Sequence, residues 1–237
     1  MSIKASIALK LYFLHLVPSF PPSSEGYCDK NLTGIPQQGS LGGNLISTLS
    51  GNDITSGFMF DVVAISDIIV TGIDLHIVSG ESYSEIRLYA TCCNLISYDQ
   101  VKRHPRAWKL SGSIKVQGSG YGQLTSLSNM NFEYVCIEQG SSKGFYITSP
   151  DGNIFYLSKV GQTGDVYKSD EHLSLLVGIG KEYWLSPNNV ENRVFNGQLH
   201  YMHRNNRIFE YQKISSSCAL GMSYHWVLAL GLIAILF

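Results

Sequence analysis

The sequence predicts an all-β fold, an antiparallel, jelly-roll-like β-sandwich with an apolar helical segment at each terminus. Apolar residues recur at every second position in several short stretches, which is the pattern of strands with one buried face. Turn-forming Gly, Pro, Asn and Ser residues separate these stretches. Between the two ends, no segment sustains the 3.6-residue period of an amphipathic helix. Closely spaced strands without helices are typical of sandwiches.

The strand patterns follow one another along the chain. In GFMFDVVA, Phe60 and Val62 are expected on one face and their neighbours on the other. The sets expected to share a face in later strands are Ile69, Ile73, Leu75 and Ile77; Ile86, Leu88 and Ala90; Trp108, Leu110, Ile114 and Val116; Leu173, Leu175, Val177 and Ile179; and Phe195, Leu199 and Tyr201. Trp108 would anchor the core because its ring buries a large area. Asn196-Gly197 suggests a bulge or a close backbone approach.

The length of 237 residues suits one domain between two processed ends. We expect a signal peptide over 1–26, a β-sandwich ectodomain over 27–204, a stem and anchor-site region over 205–217, and a hydrophobic segment over 218–237. The signal peptide is indicated by basic residues before the apolar LYFLHLV, by a following Pro-Pro pair and by small residues before Tyr27.

The C-terminal segment carries no charged residue from Cys218 onward. Small residues, a spacer and an apolar tail form the pattern of a GPI-attachment signal, and the candidate attachment residues are Ser215, Ser216 and Ser217. A membrane helix is the alternative, although no Lys or Arg follows the apolar run, and a gene-prediction artefact is a third. Either membrane anchor predicts an extracellular, cell-surface protein attached to the membrane.

The net charge of -1, with 15% charged residues, gives no electrostatic reason to expect nucleic acid as a partner. One local exception is the basic stretch KRHPRAWK, residues 102–109, which we interpret as a solvated loop before a strand. Contact with an anionic glycan or a lipid headgroup is the alternative for this stretch.

The cysteines predict disulfides if the chain is secreted. The candidates are Cys28, Cys92, Cys93 and Cys136, and several pairings are open. Adjacent Cys92 and Cys93 are expected to pair with other cysteines rather than with each other, because neighbouring Cα atoms are too close for ordinary disulfide geometry. Asn31 begins the N-glycosylation sequon Asn-Leu-Thr.

Searches for catalytic and cofactor motifs give only weak candidates. Ser142 stands in GSSKG, which matches G-x-S-x-G, but a strand rather than a helix is predicted to follow. No cofactor motif is present, and His200 and His203 would lie on opposite faces of a strand. Weak calcium candidates are Asp165, Asp170 and Glu171. Aromatic candidates for ligand contact in or beside loops are Tyr121, Tyr183 and Trp184.

The blocks FMFDVVAISDIIVTGIDLHI, AWKLSGSIKVQGSGYG, GFYITS, VYKSDEHLSLLVGIGK and RVFNGQLHY occur in this order. Together they resemble a secreted or cell-surface β-sandwich module of unknown function from microbial and protist extracellular proteins. The resemblance covers about residues 57–202, and Cys92-Cys93 with the loop up to His104 departs from it. It implies a non-enzymatic structural or adhesive module that contacts a glycan or a matrix protein. The alternatives are an extracellular hydrolase with a loop-built site and a calcium-stabilised lectin-like module.

Overall fold

The structure is a computed structural model that describes residues 42–80, 83–92 and 97–203. Its strands are β1 (Gly42–Ile46), β2 (Asp53–Thr55), β3 (Gly57–Ala64), β4 (Ile68–Leu75), β5 (Ser84–Thr91), β6 (Trp108–Val116), β7 (Val135–Ile137), β8 (Ser142–Thr148), β9 (Ile154–Ser158), β10 (Val166–Ser169), β11 (Leu173–Leu176), β12 (Gly178–Lys181), β13 (Val190–Phe195) and β14 (Gly197–His203). Within these ranges the helical structure is one 3₁₀ turn, Pro105–Ala107. The expected terminal helices, signal peptide, stem and anchor lie outside the described residues.

The strands form two antiparallel sheets, which confirms the all-β prediction. One sheet has the order β1-β14-β4-β7. The other has the order β2-β9-β13-β12-β3-β8-β5-β6, and β11 joins it by pairing with β3 while β10 pairs with β11. The main hydrophobic cluster draws residues from both sheets, so the two sheets pack face to face as a sandwich.

Phenylalanine rings fill the middle of this main core. Phe60 stacks on Phe195 with ring centroids 4.8 Å apart and on Phe145 at 5.7 Å. Phe58 packs beside them, 5.5 Å from Phe60. All four side chains are buried. Since β3 alternates, Phe60 and Val62 face this core and Met59 faces the other way, as the sequence predicts.

The opposite face of the larger sheet carries a second hydrophobic cluster. Its members are Met59, Tyr98, Val101, Ala107, Trp108, Tyr146 and Ile179, with Tyr89 and Leu185 packed against it. Part of the segment 97–107 therefore covers this outer face. Aromatic rings at the edge of that cover, both buried and exposed, form the candidate site.

The expected common face of Trp108, Leu110, Ile114 and Val116 is wrong. Leu88 pairs with Gly112 and Tyr89 with Leu110, so Ser111 is an extra residue in β6. This β-bulge reverses the alternation. Trp108 lies in the outer cluster, not in the main core, whereas Ile114 packs on the main core.

Two other expected faces are also split. Val70 pairs with Tyr201 and Gly72 with His200, which leaves Thr71 extra. As a result, Ile68 and Val70 face the main core with Ile73, in place of Ile69. The break between β11 and β12 likewise puts Ile179 in the outer cluster, away from Leu173 and Leu175.

The predicted close approach at Asn196-Gly197 is confirmed. A Cβ on Gly197 would lie 2.2 Å from the backbone oxygen of Asp74. Gly178 is packed more tightly still, because a Cβ there would lie 1.9 Å from the backbone oxygen of Met59. Only glycine lets these backbones approach so closely.

Of the cysteines, only Cys92 and Cys136 fall within the described residues. Cys136 on β7 is disulfide-bonded. No disulfide joins two cysteines of the described ranges, so the pairing stays a prediction. Cys92 is half-buried, and its Sγ lies 3.7 Å from the backbone oxygen of Arg106. Cys28, Cys93 and the sequon at Asn31 lie outside those ranges.

Candidate functional site: an exposed aromatic platform

The segment 182–189 follows β12 and presents two aromatic side chains on the outer face of the larger sheet. Trp184 is 42% exposed and Tyr183 is 55% exposed. Both were candidates for ligand contact on sequence grounds. The structure adds two ring partners for Trp184 from the sheet beneath it, Tyr89 of β5 and Tyr146 of β8.

These three rings form what we call the aromatic platform: Tyr89, Tyr146 and Trp184. Trp184 lies nearly parallel to Tyr146, at a centroid distance of 5.0 Å and an interplanar angle of 8°. Tyr89 touches Trp184 at 4.4 Å and 37°. Tyr146 is completely buried and packs in turn against Trp108 at 5.4 Å. The partly exposed indole therefore rests on a buried support.

Hydrogen bonds fix the segment that carries Trp184. Lys181 donates from Nζ to the backbone oxygen of Ser186 and to Oδ1 of Asn189, each at 2.7 Å. The backbone N–H of Leu185 donates to the hydroxyl of Tyr146 at 3.0 Å. Leu185 has a φ of 51°, a left-handed conformation that is strained for a side chain of this type. Tertiary contacts therefore hold the segment in a shape it would not adopt alone.

Lys181 is buried without a carboxylate among the acceptors of its amine. Burial lowers the pKa of Lys181 to about 8, and the nearby charges of Arg103 and Lys102 act in the same direction. At neutral pH the amine is still mostly protonated, so it donates charge-assisted hydrogen bonds to the two oxygens. Its position and partners indicate that it supports the loop.

Polar groups and one apolar side chain border the platform. Arg87 lies two residues before Tyr89 on the same face of β5. Its Nε donates to Glu85 Oε1 at 2.8 Å, and this hydrogen bond raises the pKa of Arg87. Leu110, opposite Tyr89 on β6, is 47% exposed. The site thus combines the exposed aromatic surface with a guanidinium group that can donate hydrogen bonds and a carboxylate that can accept them.

The basic stretch 102–109 meets the aromatic segment. Arg103 donates to the backbone oxygen of Pro187 at 2.9 Å. Lys102 pairs with Asp99 at 2.6 Å, and Lys109 pairs with Glu133 at 3.0 Å. Arg103 and Arg106 are exposed. The stretch therefore ties the two loops together and places the guanidinium of Arg103 beside the aromatic segment.

Tyr121 is exposed but does not belong to the platform. Its ring packs against Phe155 at 5.8 Å and against His76 at 5.6 Å. It is 69% exposed, more than Trp184. Tyr121 therefore offers a matched control, an exposed aromatic residue with a different set of neighbours.

The weak calcium candidates do not converge. Asp165 precedes β10 and Asp170 follows it, so the four residues of that strand separate them. Asp165 accepts from the N–H of Gln162, while Asp170 accepts from the N–H groups of His172 and Leu173. Among the residues that the structure describes, no three His, Cys, Asp or Glu side chains form a group that could hold a metal ion.

Ser142 of GSSKG begins strand β8, where it pairs with Val63 of β3. A nucleophile elbow requires a strand-to-helix turn, so this motif match has no catalytic meaning. Tyr89 and Tyr146 are the platform residues that sequence reasoning missed. One signal was available. Tyr89 follows Glu85 and Arg87 on the outward-facing side of β5, and an aromatic ring among charged residues on that side indicates a contact with another part of the chain or with a ligand.

Comparisons with known proteins place the chain in no family. No protein-family model matches it, and no curated protein matches it. In the described ranges, no helix has both the length and the apolar character needed to cross a membrane.

Proposed function

We propose that this β-sandwich is a non-enzymatic extracellular module that contacts glycans through the aromatic platform. The observation that carries the proposal is the indole of Trp184, which is 42% exposed while it lies flat on a buried tyrosine. The C–H face of a sugar ring packs well on such a surface, since aromatic faces combine apolar area with a negative quadrupole.

The rigidity of the platform supports binding rather than simple coverage of the core. Two χ angles position a tryptophan, and here stacking and the anchored backbone restrict both. A preorganised contact loses little conformational entropy when a ligand binds. Arg87, Glu85 and Arg103 supply hydrogen-bonding groups around the rings that could orient sugar hydroxyls or acidic substituents.

We also propose that the module is displayed at the cell surface and attached to the membrane. We further propose that it is similar to secreted microbial modules and has a jelly-roll-like topology. These proposals rest on the sequence patterns at the two ends and on the order of the strand blocks. No contact among the described residues favours the hydrolase or the calcium-stabilised module over glycan contact.

The test is a glycan array probed with the full-length protein purified in detergent. Trp184→Ala is expected to weaken binding to the preferred glycan at least tenfold, because losing a central aromatic contact commonly costs more than about 1.4 kcal/mol. Tyr121→Ala is the control and should bind normally. Thermal melts must show that both variants are folded. An array without any bound glycan, or a folded Trp184→Ala protein that binds normally, contradicts the proposal.

A further inference from the structure

Two histidine rings meet at the end of the last described strand. His203 closes β14, and His172 lies in the turn between β10 and β11. Their Nε2 atoms are 2.9 Å apart. The rings are nearly perpendicular, at 87°, with centroids 3.8 Å apart. This contact joins the end of β14, in the smaller sheet, to a hairpin of the larger one.

A contact between two imidazole nitrogens requires one proton between them. One Nε2 must be an N–H donor and the other must present its lone pair. If both rings carry both protons, two N–H groups face each other and two positive charges repel. The pair can therefore bind one additional proton, on the Nδ1 of the donor ring, and keep the hydrogen bond, but a second additional proton must go to the acceptor Nε2 and breaks it.

The charged groups around the pair come from the same turn and from β14. Glu171 Oε1 lies 3.1 Å from His172 Nε2. Asp170 Oδ2 accepts the hydroxyl proton of Tyr201 at 2.7 Å. From the β3–β4 connection, Ser66 Oγ lies 3.3 Å from His172 Nδ1. The carboxylates of Glu171 and Asp170 favour the first protonation of the pair. The second protonation still places two N–H groups against each other.

We propose that the His172–His203 pair is an acid-sensitive latch that fixes the end of β14 to the β10–β11 turn at neutral pH and releases it on acidification. The latch operates whether or not the module binds a glycan. His203 is the last residue of β14, so the latch would control how firmly the end of this strand is held against the larger sheet.

The electrostatics of His203 agree with this direction. Burial lowers the pKa of His203, the neighbouring His172 lowers it further, and Glu171 and Asp170 oppose the shift. The unfolded chain therefore binds a proton at a higher pH than the folded chain does. The contribution of His203 to the folding free energy is therefore complete above about pH 6.5. It decreases as the pH falls from the pKa of the unfolded chain toward the lower pKa of the folded chain.

The neighbouring bond keeps the release local. Burial alone would raise the pKa of Asp170, but the hydrogen bonds from Tyr201, His172 and Leu173 together outweigh it and lower the pKa. The bond from Tyr201 to Asp170 thus survives at pH values that protonate histidine. We expect the end of β14 to loosen without unfolding of the sheet.

The test combines histidine NMR titration and amide hydrogen exchange on the full-length protein. Between pH 7.5 and 5.5, exchange at Met202 and His203, corrected for intrinsic rates, should accelerate at least tenfold. His203→Gln, which cannot titrate, should abolish this pH step. His200→Gln, on the same strand, should retain it. Corrected exchange that does not change with pH, or a step that persists in His203→Gln, overturns the proposal.

Two controls separate the latch from a folding defect and from a metal bridge. If His203→Gln does not fold, the wild-type titration decides alone: coupled curves for the two rings support the latch, and two independent single-site curves refute it. The exchange measurement is repeated with EDTA. A step that disappears in EDTA would show a pair bridged by metal instead of a proton, and would also refute the latch.

Discussion

Tyr146→Phe tests whether the aromatic platform is held in place by its buried support. The substitution removes one oxygen and leaves the ring stacked on Trp184 and packed against the tilted ring of Trp108. What is lost is the acceptor for the N–H of Leu185, at 3.0 Å, and a weaker bond to the backbone oxygen of Tyr183, at 3.4 Å. No cavity larger than one hydroxyl is created.

The expected loss follows from the orphaned N–H group. A buried donor left without a partner costs about 1–3 kcal/mol, and the lower end applies here because the bond is only part-buried. For a domain of this size, 1 kcal/mol corresponds to about 2–4 °C in Tm, so Tm should fall by roughly 2–4 °C. Hydrogen exchange at Leu185 should accelerate, and glycan affinity should fall because the segment 182–189 is less rigid.

The matched control is Tyr201→Phe. Tyr201 is also buried, and its hydroxyl donates to Asp170 at 2.7 Å, but it lies on β14 in the other sheet. This variant should lose comparable stability while glycan affinity stays at the wild-type value. A Tyr146→Phe protein with wild-type Tm and wild-type exchange at Leu185 would refute the argument that this hydroxyl supports the platform.

Three further substitutions, with Gly122→Ala as the control for the first, test the packing and the buried lysine. Gly178→Ala should destabilise strongly, by about 3 kcal/mol or more in urea unfolding, because its Cβ would lie 1.9 Å from a backbone oxygen of β3; Gly122→Ala, in open space at a φ of 73°, should cost only about 1–2 kcal/mol. Phe60→Ala should cost about 3–5 kcal/mol by the same measurement, since the ring is fully buried among other phenylalanines; a loss below about 1 kcal/mol would contradict this account of the core. Lys181→Met should remove an alkaline rise in stability: the folded pKa of about 8 lies below the unfolded value, so the wild-type protein gains stability from about pH 8 to 10.5. Urea unfolding at pH 7.5 and 10 measures the increase in the free energy of unfolding. An equal increase in Lys181→Met would show that other groups cause it.

The sequence was sufficient for the fold class because alternation is a local property. Ile86, Leu88 and Ala90 all face the main core, as their spacing predicts. The predictions failed at β-bulges, where one additional residue reverses every later side chain. Ser111 in β6 and Thr71 in β4 are such residues, and a bulge is defined by the partner strand, which periodicity within one strand cannot reveal.

The candidate site was only partly predictable for a similar reason. Tyr183 and Trp184 could be identified because exposed aromatic residues near turns are visible in a single stretch of sequence. The two tyrosines that support Trp184 could not be identified in this way. Tyr89 and Tyr146 come from β5 and β8 and are brought together only by the pairing of those strands. The His172–His203 contact joins two sheets, so spacing along the chain gives no indication of it.

The exposure of Trp184 is the feature that packing alone does not explain. A ring needed only to cover Tyr146 would gain free energy by burying more of its own surface, at about 25 cal/mol per Å² of apolar area. Instead, the hydrogen bonds of the buried Lys181 hold the segment, with its strained Leu185, in place and leave the indole partly in water. Leu110, also exposed, lies opposite Tyr89 and extends the apolar surface in the same direction. Contiguous exposed apolar surface with a polar border is a common property of contact sites, and this is the reason for proposing that the outer face binds a ligand.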